Sequence, residues 1–412
     1  MAEDKSRYWT PTRTYEFALK VGSKDITNDV HKVSILTSID VPYQTFVIDL
    51  IIDSNDFILE EIYGQKPLKL TSTLLETSQV PQEIIEFDLM YLSSDMPINI
   101  KVDIAEGKQK DRMPISIIAV ARQPYKTMNT FVNEIAQGQT VASVIQTLVS
   151  NTNATLKMDS GGQNNTVIDQ ILVPPSTLYK CLGYINKTFG IFDGMPGIYC
   201  SHDNVINIKN LTRKMNQAQA FTVYQLGLNV DNDKIIERCS DGKHFYTIRD
   251  IDTSYKGNSV FAVLAPQMNF VVKPRDRLYH TIGVDLESFS QNYGLISKSN
   301  KIFFDKTALS TDSRITTYKD HTGYELTSSF INANFTKNIG HITETALVVE
   351  QSLRILNLMN VGESVEVISA TSETSEITGR YILRRSELSF SKSKEWSATG
   401  LLTLIRTNRT TT

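Results

Sequence analysis

The sequence is short of almost everything that announces an enzyme, a secreted scaffold or a membrane protein. Three cysteines stand in 412 residues. That odd count does not suggest a disulfide framework, so Cys181, Cys200 and Cys239 read as small buried hydrophobes of a reducing compartment. No apolar run approaches the roughly eighteen residues of a membrane helix. The start, MAEDKSRYWTPTRTYEF, has no apolar stretch of the kind found in signal peptides. Neither secretion nor membrane insertion is expected. The histidines are scattered singly, and there is no Gly-x-Ser-x-Gly elbow, phosphate-cradling glycine loop or His-Glu-x-x-His motif. Cys200, His202 and Asp203 come nearest to a metal cluster, but further ligands have no obvious source, and a satisfied turn histidine is the plainer reading. Carboxylate pairs such as Glu60-Glu61 and Asp231/Asp233 are too ordinary to indicate glycoside hydrolysis. No catalytic residue, cofactor or metal is expected.

Strong net charge is also missing. The balance of −3 implies no general affinity for nucleic acid. It is uneven, however: residues 1–122 hold 13 Lys and Arg against 19 Asp and Glu, or −6, which leaves +3 for the remainder. Such asymmetry is either ordinary surface scatter or a basis for head-to-tail contact between copies.

What is present is β-strand text. Residues 17–21, 33–39, 45–52, 68–74, 84–90, 98–104 and 115–120 alternate apolar with polar or are rich in β-branched residues, with turn residues between them. Many short strands at this spacing describe a β-barrel or sandwich. Near Pro124 the period changes. Thr140 stands as the N-cap of a helix whose face is Val141, Val144, Ile145 and Leu148, and 151–165 reads as a polar loop. Further strands are expected at 223–228, 243–248, 259–264 and 269–272, with a helical turn at 285–293. Beyond Gly323, residues 330–335 and 353–358 look extended, 345–351 is ambiguous between helix and strand, and 371–378 is a polar loop.

The stretch 171–213 is the most structured part of the middle. Pro174 and Pro175 are expected to close one element, and Ser176 to cap the helix that follows. Leu178, Cys181, Leu182, Ile185 and Phe189 form one face of that helix, and Gly190 ends it. Short strands follow around a turn at Asp193-Gly194 and a second turn at His202-Asp203-Asn204. One amphipathic helix therefore lies on a small meander.

This order of Pro-Pro, helix, aromatic-Gly and short strands resembles the small inserted domain of the baseplate hub proteins of T-even-type contractile phages. The text GRYILRRSELSF at 379–390, followed by LLTLIRTNR at 401–409, resembles their closing hairpin. The resemblance implies a mainly β fold with some α, in several domains: two tail-tube-like β-barrel domains plus inserted small α+β domains. The corresponding division is an arm at 1–14, a first barrel at 15–122, an inserted helix–meander domain at 123–213, linkers with a second β-rich insert at 214–322, and a second barrel at 323–412.

The function implied is structural. Three copies form a ring joining the six-fold tail tube to the three-fold central spike, around a channel for the tape measure and the DNA in transit. Partners are then the homotrimer itself, the spike, tube and tape measure proteins and other baseplate proteins. The place is the virion tail baseplate, after assembly in the host cytoplasm. Candidate subunit or channel contacts are Trp9 on the arm and the basic set Arg384, Arg385, Lys392, Lys394 and Arg406; a merely solvated hairpin is the alternative for the basic set. Two other classes compete: a β-rich tail-associated carbohydrate or cell-wall hydrolase, and a receptor-binding or peripheral baseplate protein.

Overall fold

Alternation of apolar and polar side chains builds most of the strands, and one strand near the end of the chain joins them. The computed structural model describes residues 15–53, 58–75, 81–95, 112–165, 167–192, 196–214, 217–226, 235–236, 238–239, 241–256, 342–350, 352, 354–369 and 377–406. The expected elements at 98–104, 259–264, 269–272, 285–293 and 330–335, the turn at Asp193-Gly194 and nearly all of the loop at 371–378 lie outside the described residues.

The first part of the chain supplies β1 (Tyr15–Val21), the short β2 (Lys24–Asp25), β3 (Val30–Ser38), β4 (Thr45–Asp53), helix α1 (Ile58–Tyr63), β5 (Leu68–Leu74), β6 (Glu83–Asp95) and β7 (Arg112–Ala121). In β1 the side chains of Tyr15, Phe17, Leu19 and Val21 are buried and those between are not, the period-two pattern of a half-buried strand.

The middle supplies helix α2 (Arg122–Asn129), β8 (Phe131–Thr140), helix α3 (Val141–Ser150), β9 (Thr155–Met158), β10 (Val167–Thr177), helix α4 (Leu178–Thr188), β11 (Pro196–Cys200), β12 (Val205–Asn210) and the single turn α5 (Leu211–Lys214). The last part supplies β13 (Phe221–Gln225), β14 (His244–Thr247), β15 (Asp252–Lys256), β16 (Ile342–Val349), a 3-10 helix (Ile355–Met359), β17 (Ser364–Ser369), β18 (Gly379–Lys392) and β19 (Trp396–Arg406).

Fourteen of these strands form one sheet, ordered β14-β13-β17-β18-β3-β4-β7-β6-β5-β1-β2, with β19, β16 and β15 continuing from the other edge of β18. β18 is the splice. Its start pairs with β17, its later residues Arg385 to Ser391 pair with β3, and its opposite edge pairs with β19 across a hairpin. The expected closing hairpin is thus present, and it does more than close the end of the chain. The strands β13 to β15, from the stretch read as linker and insert, belong to this same sheet. The fold is mainly β with some α, as expected. Neither half is closed into a barrel by strand pairing among the described residues, although the sheet curls until β1 lies over β18 and β19. There Phe17 has its ring centroid 4.7 Å from Phe390 and 5.1 Å from Trp396. One apolar core runs from Tyr15 to Ile405 through both halves.

Gly400 shows how tightly that core is filled. It lies in β19 opposite Val349 and Leu388, and a Cβ built on it would sit 2.7 Å from Val349 Cγ2 and 3.1 Å from Leu388 Cδ2. Gly400→Ala is therefore expected to cost about 1–3 kcal/mol by overpacking. Urea unfolding measures it, and an unchanged midpoint would mean that β16 does not lie on β19 in this register.

The middle elements form an inserted unit with a separate core. Its helix α3 begins where expected: the Thr140 hydroxyl accepts from the Ser143 N–H at 3.2 Å, and Val141, Val144, Ile145 and Leu148 are buried. Helix α4 buries Leu178, Cys181, Leu182 and Ile185, and Gly190 follows it with φ +72°. Other expectations need correction. Pro174 and Pro175 do not close an element; β10 runs through them. The β8–β10 register shifts between Val173 and Ser176, so two residues that cannot donate to a ladder sit in an irregularity where no donor is needed.

Ser176 consequently belongs to the strand and is not the cap. Thr177 is the N-cap residue, without a capping side-chain bond, and the Leu178 N–H instead donates to the Thr130 carbonyl at 2.8 Å. The polar loop at 151–165 contains β9, which pairs in parallel with β12. In the last part, the ambiguous 345–351 is largely strand, within β16. Within the stretch 353–358, the described residues 354–358 are not extended: Arg354, at φ +57°, turns the chain into the 3-10 helix, where Ile355, Leu356, Leu358 and Met359 are all buried.

Candidate functional site

The basic residues of the closing hairpin do not share one face. Arg384 ties separate strands together: Nε donates to Asp40 Oδ2 at 2.7 Å, beyond the end of β3, and Nη1 donates to Glu344 Oε2 at 3.1 Å on β16. Arg406 is only 4% exposed, and its guanidinium carbon lies 5.0 Å from the Tyr381 ring centre, in cation–π range. Arg385 is exposed and reaches Glu387 at 3.1 Å. Lys392 Nζ lies 6.0 Å from the Trp396 ring, and Lys394 is exposed in the hairpin turn. Along an extended strand these two are roughly 25 Å from Arg384. Of the five, Arg406 is buried, Arg384 bridges strands from a half-exposed position, and the other three remain at the surface. Trp9 lies outside the described residues.

A surface the sequence did not disclose lies on the β8–β10 ribbon. Its inner face, with Val132, Ala136, Ile168, Ile171 and Val173, covers α3 and α4. Its outer face presents Phe131 (76% exposed), Ile135 (60%) and Leu172 (54%), with Ile135 directly opposite Leu172. Apolar residues on both faces obscure the two-residue period. The signal that remained was the enrichment in apolar residues itself.

The third feature is the seam between the inserted unit and the sheet. On one side the Cys200 N–H donates to the Pro42 carbonyl at 2.8 Å, Tyr43 meets Tyr125 edge-on at 5.1 Å, and Arg122 pairs with Asp88 at 3.2 Å. On the other side, Lys209 Nζ lies 2.8 Å from Glu363 Oε1 and donates to the Val361 carbonyl at 2.7 Å. Lys214 Nζ is 3.3 Å from Glu363 Oε2 and 3.8 Å from Asp159 Oδ1.

The shifted titrating groups are governed by burial and by local hydrogen bonds and ion pairs. Cys200 and Cys239 are buried and free, and burial pushes each thiol up to about 12, away from reactive thiolate. Burial lowers the pKa of His202, whose ring packs on Phe87 at 4.9 Å. Among the described residues no three His, Cys, Asp or Glu side chains converge as a metal site. Asp25 is held low by the Thr27 hydroxyl and N–H. Asp241 and Glu363 are held low despite burial, the first by the N–H groups of Lys243 and His244, the second by Lys209 and Lys214.

Residues 82–270, under half of the chain, match the family described as Bacteriophage PBS1 gene 109 protein. None of the curated proteins matches the sequence. Among solved structures, the 43 kDa tail protein of prophage MuSo2 from Shewanella oneidensis superposes with a TM-score of 0.53 at 10% identity, over 95% of this chain and 97% of that one. The two chains share a fold. A tail protein from Neisseria meningitidis MC58 gives 0.49 at 12% identity, over 95% and 96% of the two chains. An E. coli component of the type VI secretion system, itself described as structurally similar to the T4 tail proteins gp27 and gp5, gives 0.45 at 8% identity, over 94% and 76%. Among the described residues no helix is long and apolar enough to cross a membrane.

Proposed function

We propose that the chain is a hub subunit of a contractile phage tail, three copies of which close into a ring between the six-fold tube and the three-fold spike. The observation that carries this reading is the single fourteen-stranded sheet, its two halves spliced on β18, in a fold shared with a prophage tail protein over nearly its whole length. Three subunits with two sheet halves each offer six places around one axis, which suits a junction between three-fold and six-fold parts. Heterologous contacts close such a ring; isologous two-fold pairing does not.

The chain divides, in this proposal, into an arm at 1–14, a first body at 15–122, the inserted unit at 123–213, linkers with a second β-rich segment at 214–322 whose strands β13 to β15 join the sheet, and a second body at 323–412. Its partners are two further copies of itself, the spike, tube and tape measure proteins, and other baseplate proteins. DNA is only in transit through the channel, and assembly takes place in the host cytoplasm before the subunit joins the virion baseplate. Trp9, Arg385, Lys392 and Lys394 are assigned to subunit or channel contacts. Arg384 braces the strands beside them, and Arg406 supports them from within. The action is mechanical, through buried interface area and register, without a nucleophile or a general acid.

Light scattering of the purified protein at several concentrations tests the ring. A species of three times the 46.4 kDa chain mass is the expected result. A strict monomer, both alone and mixed with its spike protein, would overturn the proposal.

A further inference from the structure

The seam contains an ionic network whose design differs from the rest of the interface. Its members from the inserted unit are Asp159, Lys209 on β12 and Lys214 on α5; its member from the sheet body is Glu363. Two cations face two anions, so the group is neutral as a whole. Each half is fastened to its own body. The Glu363 carbonyl accepts from the Leu383 N–H at 3.0 Å and the Gly362 N–H donates to the Leu383 carbonyl at 2.7 Å, which fixes the loop on β18. Asp159 Oδ2 accepts from the Asn210 N–H at 2.9 Å inside the inserted unit.

The loop also needs its glycine. Gly362 has φ +75°, and a Cβ there would meet Lys209 Cδ at 3.1 Å. Lys209 itself is only 5% exposed. The two bodies keep separate apolar cores, with Tyr199 and Leu211 the side chains of the inserted unit that enter the core of the sheet. Apart from these two side chains each body has a core of its own that remains when the seam opens, the condition for local rather than global opening.

We propose that Asp159, Lys209, Lys214 and Glu363 form a lock that holds the inserted unit docked on the sheet, and that neutralising Glu363 undocks the unit as a folded body. This device is independent of whether the chain forms a ring. Lys209 and Lys214 face the Glu363 carboxylate directly; the Tyr199 phenol and Asp159 are the other titratable groups in its field. Lowering the pH protonates Glu363 and removes the attraction of both lysines. Burial of Lys209 then favours separation.

The test is hydrogen exchange on the full chain, comparing wild type with Glu363→Gln and reading protection factors at three amides. The Cys200 N–H crosses the seam to Pro42. The Asp159 N–H bonds to Ile208 within the inserted unit, and the Thr222 N–H bonds to Lys243 within the sheet body. The expected result is a loss of protection of at least roughly tenfold at Cys200, with Asp159 and Thr222 unchanged. A parallel loss at all three, or no change at Cys200, would overturn the lock. Wild-type protein taken from neutral to acid pH supplies the same comparison without a substitution. Cys200 must then lose protection before the other two amides, and simultaneous loss rejects the proposal.

Discussion

Phe390→Ala is expected to cost about 3–5 kcal/mol of stability, among the larger effects of any single side-chain truncation in the sheet. Phe390 is completely buried in β18, with its ring centroid 4.7 Å from Phe17 and 5.3 Å from Tyr15, the latter edge-on. Aromatic pairs in this range contribute about 0.5–1.5 kcal/mol each beyond the area they remove from water. Truncation therefore loses two ring contacts as well as leaving a cavity. The position matters more than the size. β1 has backbone pairs only with β2 and β5, so its return over β18 and β19 depends on side-chain packing alone among the described residues.

Phe390→Leu, which keeps most of the volume, is expected to lose about 1–2 kcal/mol, and the difference between the two variants isolates the ring contacts. Chemical denaturation with intrinsic Trp fluorescence measures both, since Trp396 lies in the same cluster. If Phe390→Ala costs less than about 1 kcal/mol, β1 is not seated on β18.

This cluster also marks the boundary between what the sequence discloses and what it does not. The strands at β1, β4, β5 and β7 follow from alternation, the α3 cap follows from Thr140, and the α4 face follows from its helical spacing. These are local facts. The splice on β18 is not local: Ser34 Oγ lies 3.1 Å from Ser389 Oγ across 355 residues of chain. No period in either segment names the other. The same distance defeats the reading of the basic set, because the Asp40 that engages Arg384 stands 344 residues away. Arg406 looks like a surface charge in sequence, and it is buried against the aromatic ring of Tyr381 in the neighbouring strand. The prolines of β10 show a different limit. Their missing donors argue against a regular ladder, but a bulge satisfies that argument without ending the strand.

Glu363→Ala is expected to destabilise the protein by about 3 kcal/mol at neutral pH, because it leaves the buried Lys209 ammonium without its carboxylate. The low end of the range for a broken buried pair applies, since the Glu363 side chain is 23% exposed and water relieves part of the loss. Lys209→Met should cost less, about 1–2 kcal/mol, as Glu363 retains Lys214. Replacing both, Lys209→Met with Glu363→Leu, should return to within about 1 kcal/mol of wild type. A double-mutant cycle from urea denaturation reads the coupling directly.

The pH dependence carries the sign. Burial alone would raise the Glu363 pKa, but Lys209 and Lys214 hold it below its ordinary value. The unfolded chain thus binds the proton more readily than the folded one, and stability rises with pH through that interval. The contribution is complete above the unfolded carboxylate value of about 4.3 and is lost as pH falls through the lower folded value. The gap between wild type and Glu363→Ala should therefore be full at neutral pH and narrow in acid. A gap that persisted in acid would mean that Glu363 holds the seam by packing, and the coupling with Lys209 would then vanish as well.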